Sequence, residues 1–309
     1  MFGRVRESSA SSFTSAMPLT EEGLTSVPKR NILPPSLRPK GTMYNTCLPI
    51  VDLSYLQHPL LRPQIIQEVH LACKELGFFQ VVNHGIPLSV MNDAIDAAGE
   101  FFHLPTQDKR HLFSSNVHDP KNMVNYTMAA QKLQEELMEL IFESLGLNHN
   151  YLHEDIEEGS QVMVVNCYPE CPEPDLTLGL PPHTDYGMLT IILQNHQGLQ
   201  IMDRNEKWHS VPFIEGALVV LLGDHMEVLT NGTYKSVVHR ATVNSEKRRI
   251  SIVSLRSLAL GKIVRPASAL VNKQNVLAYK EGSLSDFLDF ISAENIVEEK
   301  YIDKLKINP

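Results

Sequence analysis

Along the first half of the chain, apolar residues recur at helical spacing, interrupted by short solid apolar runs. In "RPQIIQEVHLACKELG", Ile65, Val69 and Cys73 share one helical face and Gly77 marks the stop. "LPIVDLSYL" before it and "FFQVVNHG" after it are rich in aliphatic and aromatic residues, which predicts strands. "LSVMNDAIDAAGEFFHLP" predicts a second helix, closed by Pro105. A longer helix is expected through "YTMAAQKLQEELMELIFESLGL", with Leu133, Leu137, Leu140, Ile141 and Leu145 forming a core-facing stripe.

After about residue 160 the period shortens. "QVMVVNCYP", "MLTIILQ", "GLQIMD", "KWHSVPF", "ALVVLLG", "KSVVHRATV" and "RRISIVSLRS" are short strand candidates separated by turn residues. Asn231-Gly232 in "LTNGTY" predicts a tight hairpin, because both positions tolerate positive φ. "SLSDFLDF" onward returns to helical spacing. The fold expected is α+β: a β-sandwich or jelly roll (double-stranded β-helix) core, with a helical N-terminal region and a C-terminal helix. Residues 1–47 read as a tail or surface strap, 48–150 as the N-terminal region, 158–258 as the β core and 259–309 as a C-terminal extension.

Composition narrows the partners. With 43% hydrophobic and 20% charged residues in 309, a sizeable core is expected. A formal charge of −9 argues against nucleic acid or an anionic membrane, and no stretch has the apolar length of a span. A small-molecule partner and a monomer are the expectation. Of the four cysteines, Cys167 and Cys171 lie close together, but no second pair completes a structural zinc site. All four read as reduced thiols of a cytoplasmic protein. The Arg- and Ser-rich opening faintly resembles a transit peptide, a pattern that "LTEEG" dilutes.

The candidate chemistry sits in "LGLPPHTDYGML". On a strand His183 and Asp185 would share a face, with Thr184 turned away. Two histidines and one carboxylate on one face of an octahedron leave positions open, a set suited to Fe(II) and oxygen. His196, His209, His225 and His239 compete for the third place. His196 lies in a polar loop, His225 at a turn, and His209 could point either way. His239 lies on a candidate strand, and Arg249 and Ser251 share a face of the next one. A guanidinium beside a hydroxyl clamps a carboxylate, and an inward arginine is costly without an anion. That neighbour favours His239.

These segments resemble the plant Fe(II)/2-oxoglutarate-dependent dioxygenases over nearly the whole chain. "ACKELGFFQ" and "VVNHGIP" are similar to the family's N-terminal region, and "VNCYPECPEPDLTLGLPPHTD" to the stretch holding its first two iron ligands. "NGTYKSVVHRATV" and "RRISIV" resemble the stretches with its last ligand and R-x-S clamp. The leader "MPLTEEGLTSVPKRNILPPSLRP" is similar to the branch hydroxylating flavonoids or salicylate. The resemblance implies His183, Asp185 and His239 on iron, and Arg249 and Ser251 on the distal carboxylate of 2-oxoglutarate. Tyr168, with Asn166 nearby, would hydrogen-bond the same cosubstrate. His84 is a hallmark that does not bind metal.

The activity so implied is hydroxylation or desaturation of a small specialised metabolite, a flavonoid or phenolic acid. It consumes O2 and 2-oxoglutarate, releases succinate and CO2, and uses ascorbate as reductant. Two other readings stand: an ascorbate-dependent oxidase of the same fold, and a variant that binds ligands without turnover. The second arises because relatives carry a few tens of additional residues after the position of Pro120, part of their substrate wall.

Overall fold

The computed structural model describes residues 23, 25–39, 48–104, 121–148, 150–292 and 300–307. The chain enters through β1 (Ile50–Asp52), α1 (Arg62–Glu75), β2 (Phe78–Val82) and α2 (Leu88–His103). The long α3 (Lys121–Ser144) and short α4 (His153–Glu157) lead into β3 (Ser160–Tyr168). Then come β4 (Leu180–His183), β5 (Leu189–Gln194), β6 (Leu199–Met202), β7 (Trp208–Ser210) and β8 (Leu218–Leu222). After α5 (Asp224–Leu229) follow β9 (His239–Ala241), β10 (Arg249–Ser257), α6 (Leu284–Ser292) and α7 (Tyr301–Leu305).

Among the described residues the strands form two sheets, ordered β1-β2-β8-β5-β10-β3 and β4-β9-β6-β7. Every pairing is antiparallel except β1 with β2. This is the expected jelly roll. The central strands β5 and β8 are buried along their whole length, because both faces of the larger sheet are covered. One face packs on α1, α2 and α3 through Phe79, Ile191, Ile252, Leu137 and Ile141. The other closes on the smaller sheet through Phe78, Ile192, Val219, Leu199 and Ile201.

Helix α3 is also bolted to the larger sheet by polar bonds. The fully buried Gln134 donates to Leu189 O (3.2 Å) and Ser254 O (2.9 Å) and accepts from Ser254 Oγ (2.9 Å). Arg256, 2% exposed, donates to Glu135 Oε1 at 3.1 Å and to Ile156 O. These bonds across the layer fix the helix on the sheet as apolar contact alone does not. Segments at the two ends lie against the core: Val27 N donates to Glu173 Oε2, Leu33 N to Leu176 O, and Ile307 N to Ala278 O.

Three expectations are corrected. Asn231-Gly232 does take positive φ at both residues (50° and 76°), but it terminates α5 and joins no two strands. Asp224–Leu229, one residue before it, are helical and all buried, with Met226, Val228 and Leu229 in the core. "KSVVHRATV" shrinks to the three-residue β9. His225 lies on α5, not at a turn. The junction expected after Pro120 follows residues 105–120, outside the described residues; so do most of residues 1–47. Among the described residues no helix is long and apolar enough to cross a membrane.

Replacing Gln134 with leucine should leave buried acceptors on the sheet without their partner. The expected loss is about 1–3 kcal/mol. It should appear as a lower urea midpoint with an unchanged slope.

Candidate metal centre

His183 and His239 are direct cross-strand partners of β4 and β9, their ring centroids 4.2 Å apart. Both rings reach inward from the smaller sheet. Asp185 does not complete the pattern by alternation, as expected above, because β4 ends at His183. It sits on the following loop, and its Oδ1 lies 3.8 Å from His183 Nε2 and 3.7 Å from His239 Nε2. Among the described residues these three form the one cluster of donors close enough to share a metal ion.

The tautomers are set by the backbone. His183 Nδ1 is 2.8 Å from Pro181 O, and His239 Nδ1 is 3.1 Å from Val237 O. A carbonyl accepts only from a protonated nitrogen, so the neutral form of each ring is the tautomer that presents Nε2 to the centre. Burial lowers the His239 pKa, against the pull of Asp185, which keeps the ring neutral and able to ligate. Asp185 Oδ2 is buried with no hydrogen-bond partner. A carboxylate oxygen left so is costly, and a cation between the three donors removes that cost. Their separations leave room for one ion at ~2.0–2.2 Å from each donor.

Beside the donors lies a second built feature. β3 and β10 pair over nine residues, placing Arg249 opposite Tyr168 and Ser251 opposite Asn166. Arg249 is 2% exposed; its Nη2 donates to Gln194 Oε1 (2.8 Å) and its Nε to His196 O (3.2 Å), while Nη1 has no partner. Burial works against its charge, and among the described residues no carboxylate pairs with it. Tyr168 packs its ring 5.0 Å from the guanidinium; burial raises its pKa and keeps the phenol a hydrogen-bond donor. All seven residues line one cavity of about 220 Å³. A buried, half-satisfied guanidinium and a donor set with an orphan carboxylate oxygen fit an anion that also reaches a metal.

The other histidines do different work. His209 Nε2 pairs with Asp203 Oδ2 at 2.7 Å, and His84 Nε2 lies 3.0 Å from Gly216 O. Only the backbone of His196 enters the site. His225 is buried against the Tyr186 hydroxyl, next to Asp185 in sequence.

Sequence reading missed what holds the Asp185 loop. Asp224 N donates to Asp185 O (2.8 Å), His225 N to Tyr186 O (3.0 Å), and Thr184 Oγ1 to Asp224 Oδ2 (3.3 Å). Tyr186 stacks on Phe287 of α6, centroids 4.1 Å apart and 15° between planes. At Gly223 a Cβ would lie 2.2 Å from Gly187 O and 2.8 Å from Asp185 O, so only glycine lets α5 approach. Gln194 had one signal: a polar residue ending a largely apolar strand.

A jelly roll with two histidines and a carboxylate facing a buried arginine is the architecture of a metal-dependent oxygenase using an anionic cosubstrate. The chain belongs to the 2OG-Fe(II) oxygenase superfamily, whose signature matches residues 159–257. That of the non-haem dioxygenase in morphine synthesis N-terminal region matches residues 48–170. The chain is 36% identical to flavanone 3-dioxygenase 3 of Oryza sativa subsp. japonica, over 84% of this chain and 93% of that protein. It is 31% identical to jasmonate-induced oxygenase 3 of Arabidopsis thaliana, over 93% and 95% respectively. The latter alignment runs over 344 positions, more than the 309 residues present here, so relatives carry positions this chain lacks. The crystal structure of JOX2 in complex with 2OG, Fe and JA superposes with a TM-score of 0.83 at 29% identity, covering 96% of this chain and 98% of that one. The chain is a 2-oxoglutarate- and iron-dependent dioxygenase by family.

Gly223→Ala should force the Asp185 loop and α5 apart. The expected result is a stability loss of about 1–3 kcal/mol together with weaker iron retention on dialysis, read by metal analysis while far-ultraviolet dichroism is kept.

Proposed function

We propose that His183, Asp185 and His239 hold Fe(II), and that Arg249, Ser251, Tyr168 and Asn166 hold 2-oxoglutarate, for hydroxylation or desaturation of a flavonoid-class metabolite. The observation that carries this reading is the unpartnered Arg249 Nη1, buried in the same cavity as the neutral Nε2 atoms and the orphan Asp185 oxygen. Bound together, Fe(II) and 2-oxoglutarate supply oxidative decarboxylation by O2 to succinate and CO2, coupled to oxidation of a substrate C–H bond.

The residues of the chain then have separate tasks. Arg249 and Ser251 orient one carboxylate, and the Tyr168 hydroxyl donates a further hydrogen bond. Gln194 and the His196 carbonyl hold the guanidinium in plane, so its free edge faces the cavity. A glycine at 198 is required, because a Cβ there would lie 2.6 Å from Arg249 Cδ. Ile192 and Leu199 exclude water between the clamp and the metal donors. Ascorbate acts as reductant for the iron. The ascorbate-dependent oxidase is the weaker reading, since ascorbate has no carboxylate to pair with the two-nitrogen edge of the guanidinium.

Stoichiometric succinate release on adding 2-oxoglutarate, O2 and a flavanone tests the assignment; 2-oxoglutarate-independent, ascorbate-driven turnover would overturn it. His239→Ala should abolish iron retention. Arg249→Ala should keep iron but raise the 2-oxoglutarate concentration for half-maximal turnover at least ~10-fold, the effect of losing a charge-assisted pair worth ~1.5–3 kcal/mol.

A further inference from the structure

Resting on the preceding reading of the site, we propose that Gly179 is a positioning residue for 2-oxoglutarate: the space its side chain would fill is the seat of the Tyr168 ring. Tyr168 belongs to the polar quartet with Arg249, Ser251 and Asn166 on the paired faces of β3 and β10. The other half of the cavity is aliphatic, lined by Val164, Val253 and Leu255. Gly179 stands across from Tyr168, at the far end of the loop that crosses from β3 in the larger sheet to β4 in the smaller one. A Cβ at Gly179 would lie 2.4 Å from Tyr168 Cδ1 and 2.9 Å from Cε1. Carbon atoms in contact stay about 3.5–4.0 Å apart, so a methyl and the ring cannot share that place. The ring, not the backbone, demands glycine. The φ of Gly179 is outside the left-handed region, so an L side chain fits the chain path there. Val243 Cγ1, at 3.3 Å, is the next neighbour and needs to give by only a few tenths of an ångström.

Both backbones are pinned, so the side chain has to yield. Gly179 N donates to Ala241 O at 2.8 Å, and Leu180, next along, is the cross-strand partner of Ala241. Tyr168 is held opposite Arg249 by the β3–β10 ladder. Spinning the ring about its own axis would keep the hydroxyl in place but drive an edge toward the Arg249 guanidinium, 5.0 Å from the centroid. The remaining escape is a swing of the whole ring into a poorer rotamer, which carries the hydroxyl off the clamp. Burial raises the pKa of that hydroxyl while Arg249 and Ser251 pull it back, so it stands among the groups that would hold the carboxylate. Gly198 plays the matching part for Arg249, since a Cβ there would lie 2.6 Å from its Cδ. Each of these glycines immediately precedes a strand of the smaller sheet and backs a planar group from the larger one.

The test is an anaerobic titration of 2-oxoglutarate into the full chain loaded with Fe(II), read from the iron–2-oxoglutarate absorbance band. Gly179→Ala should raise the dissociation constant about 10-fold, the cost of losing a hydrogen bond to a charged group. Iron retention on dialysis should stay unchanged, because the strand carrying His183 does not move. Tyr168→Phe keeps the ring without the hydroxyl and should weaken binding about as much. Adding Gly179→Ala to Tyr168→Phe or to Tyr168→Ala should then change the constant less than ~2-fold, the size of ordinary additivity error. In the Tyr168→Ala background it should also no longer lower the urea midpoint. A glycine that only supports the fold would lower the midpoint of the unaltered chain and leave its affinity alone, which overturns the proposal. So does loss of iron with Gly179→Ala, or an undiminished effect in the Tyr168→Phe background. Should Gly179→Ala not fold, its combination with Tyr168→Ala decides: folding and binding like Tyr168→Ala supports the seat, and failure to fold overturns it. If the unaltered chain gives no band, or Tyr168→Phe binds 2-oxoglutarate as before, the iron and cosubstrate assignment is what fails.

Discussion

The nine-residue antiparallel register between β3 and β10 is the constraint on which the rest depends. Because side chains alternate, that register assigns two jobs to one strand. On one face of β10, Ile250 and Ile252 enter the helical core, while Ser254 and Arg256 bond to α3 and to the end of α4. On the other face, Arg249 and Ser251 open the cavity and Val253 and Leu255 extend it. A one-residue slip would bury the second set against helices and expose the first. Gln134, bonded to Ser254, thus also holds the clamp in place through the backbone.

The metal donors depend on a different kind of constraint. His183 and His239 need only the β4–β9 pairing, since cross-strand partners face each other wherever two strands meet. Asp185 lies beyond the strand and is placed by tertiary contact: backbone bonds from α5, a close approach permitted by Gly223, and the Tyr186 stack on α6. The C-terminal extension is therefore part of the scaffold of the site, although none of its described residues is a donor. Phe287, Phe290 and Tyr301 form one aromatic cluster with Tyr186.

What could be read beforehand follows this division. Period-two alternation made Arg249 and Ser251 co-facial, and that pair on the next strand favoured His239 among four histidines. Resemblance to a family supplied Tyr168 and Asn166, whose cross-strand pairing with the clamp no local pattern reveals. The failures are tertiary. Asn231-Gly232 has the dihedral angles its composition demands, but what precedes it was decided by core packing of Met226, Val228 and Leu229. Asp185 reached the right place by a route that alternation did not describe. Gln194, Gly223 and the His225–Tyr186 contact act through partners distant in sequence, so no short window contains their meaning.

The cavity reaches the edge of the larger sheet. Among the described strands β3 is the last of the larger sheet, and its cavity-facing valines are the ones left exposed. Relatives carry alignment positions absent here, yet the polar quartet and the donor triad lie on strands whose pairing is complete without them. The chemistry-bearing half of the cavity is thus independent of whatever covers the aliphatic half. A cover over the aliphatic half would add grip on a ligand, because apolar contact scales with the area removed from water.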